Sequence, residues 1–135
     1  MKFNPLVPEI SVSNINKSKQ FYVDILGFQI EYERLEDHFA FLSYGQAQLM
    51  LDEGINGSWS TGLQEYPFGR GVNFQFLTDD IHSICDRLQQ NNIKLFKDLF
   101  ISKYRADQTT YIEKEILLQD PDGYLLRFSE LMEEV

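Results

Sequence analysis

Val7-Pro8-Glu9-Ile10-Ser11-Val12-Ser13-Asn14-Ile15 runs on through Asn16-Lys17-Ser18-Lys19-Gln20-Phe21-Tyr22-Val23-Asp24-Ile25-Leu26-Gly27-Phe28, and this stretch decides the fold. It reads as strand, turn, helix, stop, strand. Ile10 and Val12 alternate with Glu9, Ser11 and Ser13, the period of a half-buried strand. Asn14 stands where a helix N-cap belongs, since its side chain can accept from an unpaired backbone N–H of the first turn. Ile15, Ser18, Tyr22 and Ile25 recur at spacings of three and four, and Phe21 and Leu26 broaden the stripe. Gly27 closes the helix, because glycine tolerates the left-handed conformation found there.

The pattern returns half a chain length later. Phe74 to His82 reads as strand and turn, and Ser83 to Asn92 continues as helix, with Ile81, Ile84, Cys85 and Leu88 as its stripe. Ile93 to Phe96 is predicted as a strand. A repeat of this size predicts two similar modules, each of one strand, one helix and further strands. Between them, Phe28–Arg34, Phe39–Tyr44 and Ala47–Asp52 alternate as strands, with Gly45-Gln46 as a tight turn. Residues 54–71 read as a long Gly-rich loop carrying Trp59, Tyr66, Pro67 and Phe68, and loops of that length in compact domains are usually functional or disordered. Residues 97–110 show no clear pattern. Tyr111–Gln119 and Tyr124–Glu130 read as strands around the turn Asp120-Pro121-Asp122-Gly123, where Pro presets the backbone and Gly accepts a positive φ. Leu131–Val135 reads as an acidic tail.

At 135 residues the chain is expected to be one domain, with module one at about 5–53, the loop at 54–71 and module two at about 72–131. Such a length supports a core without metals or disulfides. The formal net charge of −9 argues against nucleic acid. It favours attraction of cationic ligands. The single cysteine, Cys85, lies in a helical stripe and reads as core filler. No signal peptide or membrane span is expected, and the protein is read as cytoplasmic.

Alternation sorts the side chains by sheet face. Ile10, Val12, Ala47, Leu49, Leu51, Val72, Phe74, Phe76, Ile116, Leu118, Leu126 and Phe128 form an apolar set that packs beneath the helices. Glu9, Ser11, Gln48, Met50, Asp52, Asn73, Gln75, Glu115 and Arg127 point the other way. A solvated face has that composition, and so does a cleft whose polar groups orient a ligand.

Three stretches carry a family likeness. They are Val12-Ser13-Asn14-Ile15 with Phe21-Tyr22 and Leu26-Gly27-Phe28, the Gln46–Asp52 strand, and Asp120-Pro121-Asp122-Gly123-Tyr124-Leu125-Leu126-Arg127-Phe128. In these the chain resembles the vicinal oxygen chelate superfamily, the glyoxalase/bleomycin-resistance/extradiol-dioxygenase group. The resemblance implies an α+β fold of two βαβββ modules forming a curled mixed sheet with a cleft, helices outside. Enzymes of this group hold a divalent metal with His and Glu from four strands. Counting along the motifs, those positions fall on Val7, near Met50, on Asn73 (Val72 if Asp79-Asp80 is an insertion) and on Arg127. None is a usual ligand, and Arg127 would place a permanent positive charge where the cation belongs. His38 lies in a turn and His82 at a helix start, so neither restores a site.

Loss of the ligands is similar to the bleomycin-resistance branch, whose members are homodimers that sequester a cationic glycopeptide at the interface. The expectation is therefore a non-enzymatic protein with no cofactor, metal or catalytic residue. It would capture a planar, cationic, bleomycin-like antibiotic or metabolite as a homodimer. Glu9, Asp52 and Glu115 would supply charge, Gln75 and Arg127 orientation, and Phe39, Phe41 and Trp59 stacking surfaces. Where the family often carries Trp-Gly-Arg-Glu, this chain has Glu113-Lys114-Glu115, a departure that counts against bleomycin itself. The alternative is an enzyme (lyase, isomerase or dioxygenase) with an atypical carboxylate metal site built from Glu9, Asp52 and Glu115. A third reading is a module with no ligand.

Overall fold

The computed structural model describes residues 1–54 and 59–135. Two compact units divide the chain, Met1–Phe68 and Gly69–Val135. The first holds β1 (Glu9–Ser11), α1 (Ile15–Lys19), a π-helical continuation (Gln20–Ile25), β2 (Gln29–Arg34), a 3₁₀ turn (Leu35–Asp37), β3 (Phe39–Tyr44) and β4 (Ala47–Asp52). The second holds β5 (Asn73–Leu77), α2 (Ile81–Gln90), β6 (Lys97–Ala106), β7 (Thr109–Gln119) and β8 (Leu125–Glu134). Each has one four-stranded sheet, ordered β1-β4-β3-β2 and β5-β8-β7-β6. In each, the first strand runs parallel to the last and the other pairs are antiparallel. The βαβββ module therefore occurs twice, in an α+β fold.

The repeat extends to the capping of the helices. Asn14 Oδ1 accepts from the Lys17 N–H at 3.0 Å, and Asp80 Oδ1 from the Ser83 N–H at 3.1 Å. The first N–H of each helix is also satisfied by a carboxylate from the last-strand region of its own unit. Ile15 donates to Glu53 at 2.9 Å and Ile81 to Glu130 at 2.8 Å. A helix start leaves four such donors unpaired, so these bonds fix where each helix begins.

Beneath the helices the sheets are dry. Ile10, Val12, Ala40, Leu42, Leu49 and Leu51 are buried with Ile15, Phe21, Tyr22 and Leu26. Phe76, Ile116, Leu118, Leu126 and Phe128 are buried with Ile81, Ile84 and Leu88. Each of the Val, Leu, Ile and Phe side chains contributes about 1.5–3 kcal/mol through burial.

The structure corrects five expectations of local structure. Ile25 is not a full core residue. The backbone widens to π winding after Lys19, with Leu26 donating to the Phe21 carbonyl, and the longer step brings Leu26 inward instead. Residues 93–96 are not a strand, and the patternless stretch 97–110 holds β6, a turn and the start of β7. The acidic tail is the end of β8, paired with Tyr111 and Ile112. Val72 is half exposed rather than packed. Of the Gly-rich loop, residues 55–58 lie outside the described residues; Phe68 is buried, while Trp59 and Tyr66 are exposed. Gly69, at φ +70°, lies so close to the Tyr124 ring that a Cβ would collide with it.

Ile84→Ala is expected to destabilise the protein by about 3 kcal/mol through the cavity it leaves. Asp80→Ala should cost about 1 kcal/mol by removing the α2 cap. Urea unfolding monitored by circular dichroism measures both.

Candidate functional site

The strand pairings fix the residues on the face of each sheet turned away from its helix. In the first unit Glu9 lies opposite Met50 and Ser11 opposite Asp52, and Phe41 and Phe39 flank the same two residues from β3. In the second, Gln75 lies opposite Arg127 and Leu77 opposite Ser129, with Leu117 and Glu115 beside them on β7. Glu9 and Gln75 stand the same distance ahead of Ile15 and Ile81. The repeat thus makes Met50 the counterpart of Arg127, and Phe39 that of Glu115.

Glu115 is the centre of the second face and is fully buried. A buried carboxylate must be matched by donors or it will not stay ionised. Ser102 and Tyr104 donate their hydroxyls to Oε2 at 2.7 and 2.5 Å, and Ser129 donates to Oε1 at 2.5 Å. The Arg127 Nη1 stands 3.5 Å from Oε1. Gln75 donates its amide to Ser129 Oγ at 3.1 Å, and its oxygen lies 3.4 Å from Arg127 Nη2. Burial pushes the Glu115 pKa up. The hydroxyls of Ser129, Tyr104 and Ser102 and the charge of Arg127 pull it down further, and the net result lies below the ordinary carboxylate value. Glu113, two residues along β7, is pushed up by burial and by the charge of Glu115, against the pull of Arg127.

Gln75, Glu115 and Arg127, singled out from alternation, thus come together in one network. Ser102 and Tyr104 were missed because β6 was not legible, and Ser129 because a serine in a strand carries no distinguishing signal. The alternation of Ser102 and Tyr104 was the available clue.

The first face is aromatic. Tyr32 stacks on Phe41 with ring centroids 5.2 Å apart, and lies 5.9 Å from Phe39. The Arg34 guanidinium sits 4.2 Å over the Phe39 ring and is paired with Asp37 at 2.9 Å. The N-terminal segment lies across the same face. Phe3 packs edge-on against Phe41 and Tyr32. The Asn4 N–H donates to the Gln48 side-chain oxygen at 2.7 Å, and the Gln48 amide donates to the Lys2 carbonyl at 2.8 Å. Phe41, against Phe3 and Tyr32, is 2% exposed, and Phe39, against Arg34 and Tyr32, is 6% exposed. Glu9 is exposed; its carboxyl is pushed up by desolvation and by the charge of Asp52, with Arg34 acting the other way. Trp59 is 85% exposed. A pocket of about 190 Å³ between α1 and β3, lined by Ile15, Asn16, Lys19, Leu35, His38 and Phe39, is small for an organic ligand.

The donor set does not fit the divalent metal that the superfamily's enzymes hold. Val7 and Met50 in one unit, and Asn73 and Arg127 in the other, are the positions in question, and none is a usual ligand. Both oxygens of Glu115 are already engaged by hydroxyls. Among the described residues no group of three His, Cys, Asp or Glu is disposed to hold a metal. His38 is the left-handed residue that ends the 3₁₀ turn, and His82 Nε2 lies 3.4 Å from Lys114 Nζ. The half-buried Cys85 thiol is pushed up by desolvation, the opposite of the shift that activates a cysteine. No helix among the described residues is long and apolar enough to cross a membrane.

Glu115→Gln is expected to destabilise the protein at neutral pH by about 3 kcal/mol, since it removes the charge that three hydroxyls and Arg127 are arranged around. The folded pKa of Glu115 is depressed, so its contribution is present above the unfolded value near 4.5 and is lost as pH falls. The difference between wild type and variant should therefore shrink as pH drops below about 4.5. Urea unfolding across that range is the measurement.

Comparison with known proteins agrees with this architecture. The model of the Glyoxalase/Bleomycin resistance protein/Dioxygenase superfamily matches residues 2–128. A probable lactoylglutathione lyase of Synechocystis is 30% identical over 120 residues, covering 85% of this chain and 86% of that one. A lactoylglutathione lyase of Neisseria meningitidis serogroup A is 23% identical over 124 residues, covering 88% and 84%. Among solved structures, a glyoxalase/bleomycin resistance protein/dioxygenase from Alicyclobacillus acidocaldarius matches with a TM-score of 0.66 at 20% identity, over 96% of this chain and 92% of that one. At that identity the likeness speaks for the fold. With the duplicated βαβββ module and a family match spanning nearly its whole length, the chain belongs to the glyoxalase/bleomycin resistance protein/dioxygenase superfamily.

Proposed function

We propose that this chain is a small-molecule-binding member of its superfamily that works without a metal at the family's ligand positions. The observation that carries this reading is Arg127. A guanidinium anchored beside a buried carboxylate stands where the resemblance implies an anionic metal ligand. A fixed positive charge there repels a divalent cation.

The first-unit face supports a planar, cationic ligand. Glu9 and Asp52 place negative charge beside the aromatic cluster, whose Phe39 ring is itself covered by the chain's own Arg34 guanidinium. Trp59 is exposed and free to stack. Function on this reading is stoichiometric capture of an antibiotic or metabolite of the bleomycin kind by a cytoplasmic homodimer, with no residue acting in catalysis. The enzyme reading is favoured by a different observation: the relatives found by sequence are named lactoylglutathione lyases. Those names weigh on the side of catalysis, and the donor set weighs against a metal-dependent form of it.

Elemental analysis of the purified protein, paired with an assay of lactoylglutathione lyase activity, separates the two. The expected outcome is no stoichiometric divalent metal and no turnover. Calorimetric titration with metal-free bleomycin and with its copper complex should then give saturable heat that weakens with added salt. A tightly held divalent ion accompanied by lyase turnover would overturn the capture reading.

A further inference from the structure

We propose that Arg127 forms an oxyanion subsite on the helix-free face of the second sheet, taking a carboxylate or phosphate group of a small ligand. The inference rests on the metal-free reading above and names a chemical group that such a site would hold.

The geometry of the guanidinium points to it. An arginine carries five N–H donors in a planar fork that matches two oxygens of one anion. In this protein those donors are almost unspent. Nη1 is 3.5 Å from Glu115 and 3.4 Å from the Tyr104 hydroxyl, and Nη2 is 3.4 Å from Gln75. All three distances exceed the range of about 2.7–3.2 Å in which N–H···O bonds are strong. Nε is buried and has no partner among the described residues. Buried N–H groups are nearly always paired, so an unpaired one beside two loosely used neighbours marks a place where an acceptor is missing.

Glu115 cannot be that acceptor. Its oxygens are taken by Ser102, Tyr104 and Ser129 at 2.5–2.7 Å. It holds Arg127 by charge and leaves the fork open. The Arg127 side chain as a whole keeps 27% of its surface exposed, which gives a ligand access to part of the side chain, while Nε itself lies beneath the surface. Asn73 is exposed on β5 along the same face and offers an amide donor to the rest of the anion, whereas the Gln75 amide donates to Ser129. Glu113 and the Glu115 carboxylate oppose an incoming negative charge, so a simple oxyanion is expected to bind weakly.

The test uses the full chain and follows arginine Nε–H signals by proton–nitrogen NMR. Sodium acetate and sodium phosphate are titrated separately, with sodium chloride at matched ionic strength as the control. Arg127 is assigned by sequential backbone and side-chain connectivity, and the assignment is checked by loss of its signal in Arg127→Lys. The expected result is a saturable shift of the Arg127 Nε–H with acetate or phosphate that chloride does not produce. The anion that saturates at lower concentration identifies the class. Arg127→Lys should weaken that anion by about tenfold, because a point charge loses the two-pronged geometry. If the lysine variant fails to fold, the wild-type titration still decides. A shift no larger than that with chloride, for both anions, overturns the subsite. That failure is separable from failure of the metal-free reading, which elemental analysis decides without reference to any anion.

Discussion

The parallel pairing of first strand with last strand in each unit is the constraint on which the rest of this structure depends. Side chains alternate along a strand, so one register decides which residues are dry and which are wet. In the first unit it sends Ile10 and Leu51 under the helix and leaves Glu9, Met50 and Asp52 on the far face. In the second it sends Phe76, Leu126 and Phe128 under α2 and leaves Gln75, Arg127 and Ser129 on the far face, where Ser129 is buried against Glu115. The carboxylates of Glu53 and Glu130 tie each helix start to this pairing, so strand register and helix position are set together.

On that shared frame the two units carry opposite chemistries. Phe39 and Glu115 hold equivalent places and both are buried, yet one needs apolar neighbours and the other needs donors. Around Phe39 the chain supplies Tyr32, Arg34 and, through Tyr32 and Phe41, the ring of Phe3. Around Glu115 it supplies three hydroxyls and a guanidinium. Neither arrangement resembles a metal site, and each has left the wet face with a fixed charge close by. A common module has thus been fitted out twice, with function residing in the grafted side chains rather than in the fold.

Much of this was legible in the sequence, for reasons that can be named. Asn14 and Gly27 act within a few residues of themselves, so that cap and that stop could be read directly. Alternation put Gln75, Glu115 and Arg127 on one face because their strands each have a buried side to keep time by. The same reasoning failed on β6, where only Phe100 and Ser102 are even partly covered. A strand exposed on both faces has no hydrophobic period, and its pairing is written in the backbone alone. Ser102 and Tyr104 were lost with it. The π winding after Lys19 was hidden because Ile25 and Leu26 are both apolar, and sequence does not say which of two adjacent hydrophobes turns inward. The strap of Lys2, Phe3 and Asn4 depends on Gln48, a partner far along the chain that no local pattern could pick out.

The place of Arg127 has a consequence for the cell in which the protein works. A metal centre exists in loaded and empty forms, and the balance follows supply, competition from other ions and chelation. A positive charge carried by a side chain has no empty form. It is present from the moment the chain folds. On the reading advanced above, the protein exchanges the reach of Lewis-acid chemistry for constant readiness. Its activity would depend on how much of it is synthesised and would be indifferent to metal starvation.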